Sequence, residues 1–472
     1  MMKRVMITEK IEIKYGLDCL LINPPDDFSR YPYLGLCYIA GSLRNRGMTV
    51  EILDSVALGF KTGDVVNHIL NKRPRIIGIT VMSMTLPYCY SLIRHIQEKY
   101  PMSVIVVGGA HINADPNIIV DMNIRYGFRG ECELVFPTFC ESILKGEEPV
   151  RSIPGLIVNN NGVVCLNDPA FIEDLNTLPP PAYDLLPLNK YYSPSSSLKT
   201  ISSITSRGCP YNCIFCSKLQ QTKYRYLNTE KVLDQIDILI NQMGIKRIEF
   251  VDEIFTLNKE RVIELCHGII NRGYKFQWGC GTRADRIDEE LLKIMKEAGC
   301  SKIGFGIESG VERVRFIDHK KITNEQINET IRLCQKYRIK SFGDYIFGHP
   351  TETLHEMKET LKYSLKLKTD IAYYAKMIPI PDSELFKIYT RSGVINSDIW
   401  KSYMLGKRPY PIYYPDTISK KSMDKIYKYA WIRFYLSPRR ILQSINLLLN
   451  PRFLVKSVLA FYALATGKKY KK

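Results

Sequence analysis

Hydrophobic positions along this 472-residue chain fall into two blocks, each alternating short β-branched runs with helical stripes. In the first block the strand candidates are Asp18–Ile22, Thr49–Leu53, Ile76–Val81, Val104–Val107 and Ile124–Gly127. Helical patterns lie between them near Leu34–Arg46, Gly63–Asn71, Leu86–Lys99 and Glu133–Lys145. Strands separated by helices over this length predict an α/β fold with a doubly wound, Rossmann- or flavodoxin-like parallel sheet. Ligands of such sheets bind outside the carboxyl ends of the strands. The second block has strand candidates at Ile201–Thr205, Arg247–Val251, Phe276–Gly281, Lys302–Ile307, Lys340–Ile346 and Asp370–Lys376. One of its helices shows Val232, Leu233, Ile236, Leu239, Ile240 and Met243, an apolar stripe at helical spacing.

Between the blocks the pattern breaks. A hairpin is expected from Leu156–Val158 and Val163–Leu166 around Asn160-Asn161-Gly162, followed by the stiff, extended stretch Leu178-Pro179-Pro180-Pro181-Ala182-Tyr183. The domain division is therefore 1–149, a linker at 150–198, a second α/β domain at 199–390 and a basic helical region at 391–472.

Composition is that of a soluble globular protein, with 45% apolar and 24% charged residues. No run reaches the roughly 18 apolar residues of a spanning helix, and Glu9, Lys10, Glu12 and Lys14 interrupt any signal-peptide core near the start. Thirteen cysteines without a secretion signal suit a reducing interior, so the expected location is cytoplasmic. The net charge of +18 is uneven: residues 418–472 hold 13 Lys/Arg and one acid, for +12, and the remainder carries only +6. The main body thus lacks the basic surface of a nucleic-acid-binding protein. The apolar runs Ile441–Leu449 and Phe453–Ala465, framed by cations, suit either a helical cap or a peripheral membrane contact, the cap being preferred.

One local pattern carries the chemistry. Cys209, Cys213 and Cys216 lie in Cys209-Pro210-Tyr211-Asn212-Cys213-Ile214-Phe215-Cys216, directly after the first strand of the second block. A 4Fe–4S cluster takes four thiolates, so three of them leave one iron open to an outside ligand. Structural zinc is the alternative, but it needs a second paired knuckle. Cys266, Cys280 and Cys300 are scattered and supply none.

The C-x3-C-x-aromatic-C spacing, with Phe215 in the aromatic slot, resembles the radical S-adenosylmethionine (SAM) enzymes. The resemblance implies a partial (β/α)6 barrel in which SAM chelates the open iron of a 4Fe–4S cluster. One electron then releases a 5′-deoxyadenosyl radical. Charged residues at successive strand ends take on meaning in that light. The resemblance places Arg283 on the SAM carboxylate and Glu308 on the ribose, while Asp252 stands where other branches carry a motif for the SAM amine. Each could instead be an ordinary surface ion pair. Phe347-Gly348-His349-Pro350-Thr351-Glu352 is similar to the family's turn shaping the adenine pocket.

In the first block the strand-end loops read Asn23-Pro24-Pro25, Met82-Ser83-Met84-Thr85, Gly108-Gly109-Ala110-His111 and Gly130-Glu131-Cys132-Glu133. Paired glycines allow close backbone approach to a ligand, or simply a tight turn. Together with Pro32-Tyr33-Leu34-Gly35-Leu36, these loops resemble the cobalamin-binding domain that precedes many radical SAM cores. Ser83, Gly108, Gly109, His111 and Glu131 then become cobalamin contacts. The D-x-H-x-x-G sequence that supplies a lower cobalt ligand is absent.

The resemblance implies a cobalamin-dependent radical SAM methyltransferase acting on an unactivated carbon of a lipid or other small hydrophobic metabolite. Reduced flavodoxin or ferredoxin would supply electrons, and no nucleic acid is expected as partner. An oxidative cyclase or other non-methylating radical enzyme is the near alternative. An RNA methylthiotransferase and a non-enzymatic cobalamin sensor are more distant ones.

Overall fold

The computed structural model describes residues 15–27, 32–192, 198–217, 223–438 and 440. Two compact units emerge, one comprising residues up to Phe171 plus Leu178–Leu186, the other Ile172–Thr177 plus the chain from Pro187 onward.

The first unit is built on a seven-stranded sheet. Its strands are β1 (Leu17–Asn23), β2 (Val50–Asp54), β3 (Pro74–Thr80), β4 (Val104–Gly108), β5 (Tyr126–Phe128), β6 (Leu156–Asn160) and β7 (Val163–Leu166). Their order is β2-β1-β3-β4-β5-β6-β7. The first five run parallel, and β6 and β7 add an antiparallel edge. Cys19–Ile22 and Ile76–Ile79 are buried apolar runs because a doubly wound sheet is covered on both faces. The order reverses between β1 and β3, which is where such sheets open a crevice for ligands. The hairpin expected in the linker instead extends this sheet through Gly127↔Ile157. Nor does the proline-rich segment stand off as a spacer. Ala182 N donates to Cys37 O at 3.0 Å, and a Cβ on Gly41 would lie 2.3 Å from Pro180 O. The segment therefore lies directly on the helix Leu34–Asn45.

The second unit carries β8 (Thr200–Ser203), the short pair β9 (Ser206–Arg207) and β10 (Arg225–Tyr226), then β11 (Arg247–Phe250), β12 (Gln277–Thr282), β13 (Cys300–Glu308), β14 (Lys340–Phe347) and β15 (Ile371–Lys376). Six of these form an all-parallel sheet in the order β8-β11-β12-β13-β14-β15, leaving β8 and β15 at its two edges. This is the expected partial barrel. The apolar stripe after the cysteine loop forms the helix Thr229–Asp237, which runs on as a π-helical turn, Ile238–Gln242. Asn228 caps the helix by accepting from Lys231 N at 2.9 Å. On β13 and β14, residues 303, 305, 307, 343, 345 and 347 are buried, while 304, 306, 342, 344 and 346, on the opposite face, are half-buried. The helix Lys420–Tyr435 covers edge strand β15: Trp431 packs edge-on against Tyr373 and Tyr374, and Tyr435 donates to Ala372 O at 2.7 Å. Among the described residues no helix is long and apolar enough to cross a membrane. The apolar runs at 441–449 and 453–465 lie outside the described residues.

Candidate active site

The cysteine loop leaves β9 through Gly208, whose φ of 95° turns the chain into Cys209. Three backbone bonds hold the rest of the loop. Cys216 N donates to Cys213 O at 3.1 Å, Ile214 N to Asp318 O at 3.3 Å, and Leu385 N to Ile214 O at 2.9 Å. The ring of Phe215 meets His349 edge-on at 6.3 Å. Burial raises the pKa of all three thiols; Cys213 also feels Cys209, and Cys216 feels both. The sulfurs therefore share one electrostatic environment. Lys320 pulls all three in the opposite direction, and Arg283 does so for Cys209 and Cys213. Among the described residues no three His, Cys, Asp or Glu side chains already converge as metal ligands. Free thiols have no mutual attraction, and a metal supplies it on binding. Three thiols on one loop with two cations nearby fit an anionic iron–sulfur cluster with one open iron.

The charged strand ends surround this loop, each in a different bonding state. Asp252, past β11, is buried and turned back onto the start of the loop: it accepts from Thr205 Oγ1 at 2.7 Å, Thr205 N at 3.1 Å and Ser206 Oγ at 2.5 Å. Its Oδ1 thus holds the turn between β8 and β9, while Oδ2 shares only Thr205 N at 3.2 Å. The neighbouring Glu253 is pushed up to about 7, chiefly by burial. Past β12, Arg283 forks onto Asp285 through Nε and Nη2, both at 2.9 Å, and Nη2 also donates to Lys320 O at 2.9 Å. Its guanidinium lies 3.7 Å from the ring centroid of Tyr211 inside the cysteine loop. The bidentate face expected for a ligand carboxylate is therefore occupied, and Nη1 is the nitrogen left without a protein partner among the described residues.

At the end of β13, Glu308 pairs with Lys320, Oε1 to Nζ at 2.6 Å, with both side chains under a tenth exposed. Asp344, half-buried on β14 beside Gly306 of β13, has no hydrogen-bond partner among the described residues. Burial, and then Glu308, push its carboxyl up to about 7. Behind the loop, His349 and Asp318 form a fully buried ion pair. Burial opposes charge on His349, but Asp318, then Glu352 and Glu308, together overcome it and raise the imidazole to about 9.

At the carboxyl edge of the first unit, Asn23 Nδ2 donates to Asp54 Oδ1 at 2.9 Å, tying the ends of β1 and β2. Ser83 Oγ lies 2.9 Å from His111 Nδ1, joining the loops after β3 and β4. Burial drives His111 down to about 3, so its imidazole stays neutral. Gly109 has a φ of 101°, and a Cβ there would press on Thr80 Oγ1 at 2.9 Å and Val81 O at 3.0 Å. At Gly108 the nearest atom to such a Cβ is Phe128 O at 3.8 Å. Gly109 is therefore demanded by the turn itself, while Gly108 leaves open space at the strand end. Glu131 is half-buried, its N donating to Ala170 O at 2.8 Å. Small, half-buried residues along the rim at Ser83, Gly108 and Gly109 fit a bulky planar cofactor resting on the strand ends.

Fold and site together define a radical SAM protein with an N-terminal B12-binding domain. The Radical SAM superfamily matches residues 203–364, and the B12 binding domain matches residues 28–139. A protein of Pyrococcus horikoshii described as an uncharacterized methyltransferase is 31% identical over 438 residues, covering 90% of this chain and 94% of that one. The anaerobic magnesium-protoporphyrin IX monomethyl ester cyclase of Rubrivivax gelatinosus is 28% identical, covering 76% of this chain and 66% of its own. The structure of the radical SAM methyltransferase TsrM from Kitasatospora setae shares the fold at a TM-score of 0.68 and 18% identity, over 90% of this chain and 82% of that one. The chain belongs to the cobalamin-binding radical SAM enzyme family.

Sequence reasoning passed over Lys320, Asp344, Tyr211 and the Asp318–His349 pair. Tyr211 could have been found from its place inside the cysteine loop. Lys320 sits in an unremarkable run, Asp318-His319-Lys320-Lys321, and only the turn after the helix Glu312–Ile317 carries it inward.

Proposed function

We propose that this enzyme is a methyltransferase that moves a methyl group from SAM, by way of cobalamin, to an unactivated carbon. One observation carries the reading: a three-cysteine loop and a B12-binding domain occur in one chain, and a relative described as an uncharacterized methyltransferase aligns along nine-tenths of it. When bound, the cluster and SAM supply a carbon radical and cobalamin supplies the methyl group, a combination suited to carbon that is no nucleophile.

The chain's own residues bind, orient and exclude water. Cys209, Cys213 and Cys216 hold three irons, with Phe215 packed behind them. Arg283 offers Nη1 to the SAM carboxylate while its fork on Asp285 keeps the guanidinium still. Glu308 offers its second oxygen to the ribose. Asp252 supports the cluster loop through Oδ1, which serves Thr205 and Ser206, and offers Oδ2 toward SAM. Ser83, Gly108, Gly109 and Glu131 line the cobalamin side, and neutral His111 acts through Ser83. Reduced flavodoxin or ferredoxin serves as electron donor. Beside the role of a helical cap, the charge of residues 418–472 supports a peripheral contact with an anionic membrane surface, which would suit a lipid or other hydrophobic substrate.

The cyclase similarity supports a second reading, in which the same parts carry out radical chemistry without methyl transfer. Anaerobic reconstitution with SAM carrying a deuterated methyl group separates the two. Extracts of cells lacking the gene are added as substrate, and mass spectrometry tracks the label. A labelled product beside 5′-deoxyadenosine supports the methyltransferase; 5′-deoxyadenosine with a substrate-derived product free of label supports the second reading.

A further inference from the structure

Three non-glycine residues of the second unit adopt left-handed backbone around one ion pair. Glu308 has a φ of 63°, and His319 and Lys321, flanking Lys320, have φ of 59° and 48°. Such conformations are disfavoured for side chains with a Cβ, and where they persist they tend to serve a site. Their result here is a buried lysine, its side chain 8% exposed, with Nζ at 2.6 Å from Glu308 Oε1. The pair lies directly over Gly306. A Cβ there would collide with Glu308 Oε1 at 2.5 Å and Lys320 Nζ at 2.7 Å, so glycine leaves the space the pair occupies.

The same residue reaches further. Its carbonyl accepts from Arg283 Nη2 at 2.9 Å, so one turn of chain touches both groups assigned to SAM. Asp344 is the register partner of Gly306 on β14 and senses the charge of both Lys320 and Glu308, so a second carboxyl lies near the pair without bonding to it. One ammonium is thus bonded to one acid and lies near a second. A buried ion pair is a poor source of stability on its own, because desolvation offsets most of the attraction. Strain at three positions for that purpose alone would have little to recommend it.

We infer that Lys320 is a positioning residue of the SAM site, fixing the Glu308 carboxylate in place and aimed at the ribose while its backbone fixes Arg283. The inference rests on the reading of Glu308 and Arg283 as SAM contacts, and not on methyl transfer. Without the ammonium, Glu308 and Asp344 would repel each other, and Glu308 would lose the partner that fixes its rotamer.

The test uses anaerobically reconstituted full-length enzyme, with SAM titrated against the EPR signal of the reduced cluster. Lys320→Met should keep wild-type iron and sulfide and lose SAM affinity by about tenfold or more, the scale of one charge-assisted hydrogen bond. Lys320→Arg should recover most of the loss. Adding Lys320→Met to Glu308→Gln should weaken binding no further than Glu308→Gln alone, since the lysine acts through that carboxylate. Wild-type SAM affinity in Lys320→Met, or loss of the cluster from both Lys320 variants, would overturn the inference. An enzyme that behaves as expected in this titration but transfers no methyl would refute the proposed function alone.

Discussion

Cys213 occupies the middle of the triad, and Cys213→Ala leaves only two thiolates on the loop. The brown chromophore and 5′-deoxyadenosine formation should disappear together, as checked by visible absorbance and chromatography. The buried Asp318–His349 pair makes a separate prediction about pH. The folded imidazole titrates near 9, above its ordinary value of about 6.5. Its stabilising effect is therefore complete below about 6.5 and disappears as pH rises through about 9. Thermal melting of the cluster-free protein should decline over that interval. In Asp318→Asn the decline should be smaller, since only Glu352 and Glu308 then favour the charged ring, and the protein should be weaker at pH 7 by about 3 kcal/mol. The residues that sequence revealed and those it hid differ for a physical reason. Cysteines at fixed spacing within one loop are a local pattern. Lys320 and Asp344 gain meaning only when β13 and β14 pair and a left-handed turn swings a lysine over Gly306, which no local window records.

Gly109 lies at the element scale, between β4 and the short helix Ala110–Ala114. Gly109→Val would place a Cβ against Thr80 and Val81 in a backbone conformation that valine avoids. The loop must shift, so bound cobalamin should fall well below the roughly one per chain expected of wild type, by absorbance after anaerobic loading. The iron content should stay unchanged, because the cluster belongs to the other unit. The parallel strands were legible because burial on both faces writes them as apolar runs, as in Cys19–Ile22. The hairpin β6–β7 was legible as a hairpin but not as part of the first sheet, since its pairing with β5 joins residues far apart in sequence. The proline-rich stretch misled for a related reason: its stiffness is local, whereas its packing on the helix Leu34–Asn45 is not.

At the scale of the whole molecule, the concentration of charge in residues 418–472 predicts a salt-sensitive affinity for anionic surfaces. Each Lys or Arg near such a surface contributes about 1 kcal/mol. The protein should sediment with anionic vesicles, release as salt rises and ignore neutral ones. Equal recovery in the supernatant with both vesicle types would assign the tail to a cap. The chain also takes an unusual path between its two units. It leaves the first at Phe171, lodges residues 172–177 in the second, returns for 178–186 and leaves again at Pro187. Arg225 is bonded to Ile172 O, and Asn228 N donates to Asn176 Oδ1 at 2.9 Å, so the lodged segment is held by side chain and backbone alike. Residues 172–177 thus belong to the second unit by their bonds, although the chain before and after them belongs to the first. A protease that nicks the chain between 187 and 192 would leave those bonds in place. Residues 172–177 should therefore stay with the second unit on a sizing column until denaturant draws the thread out.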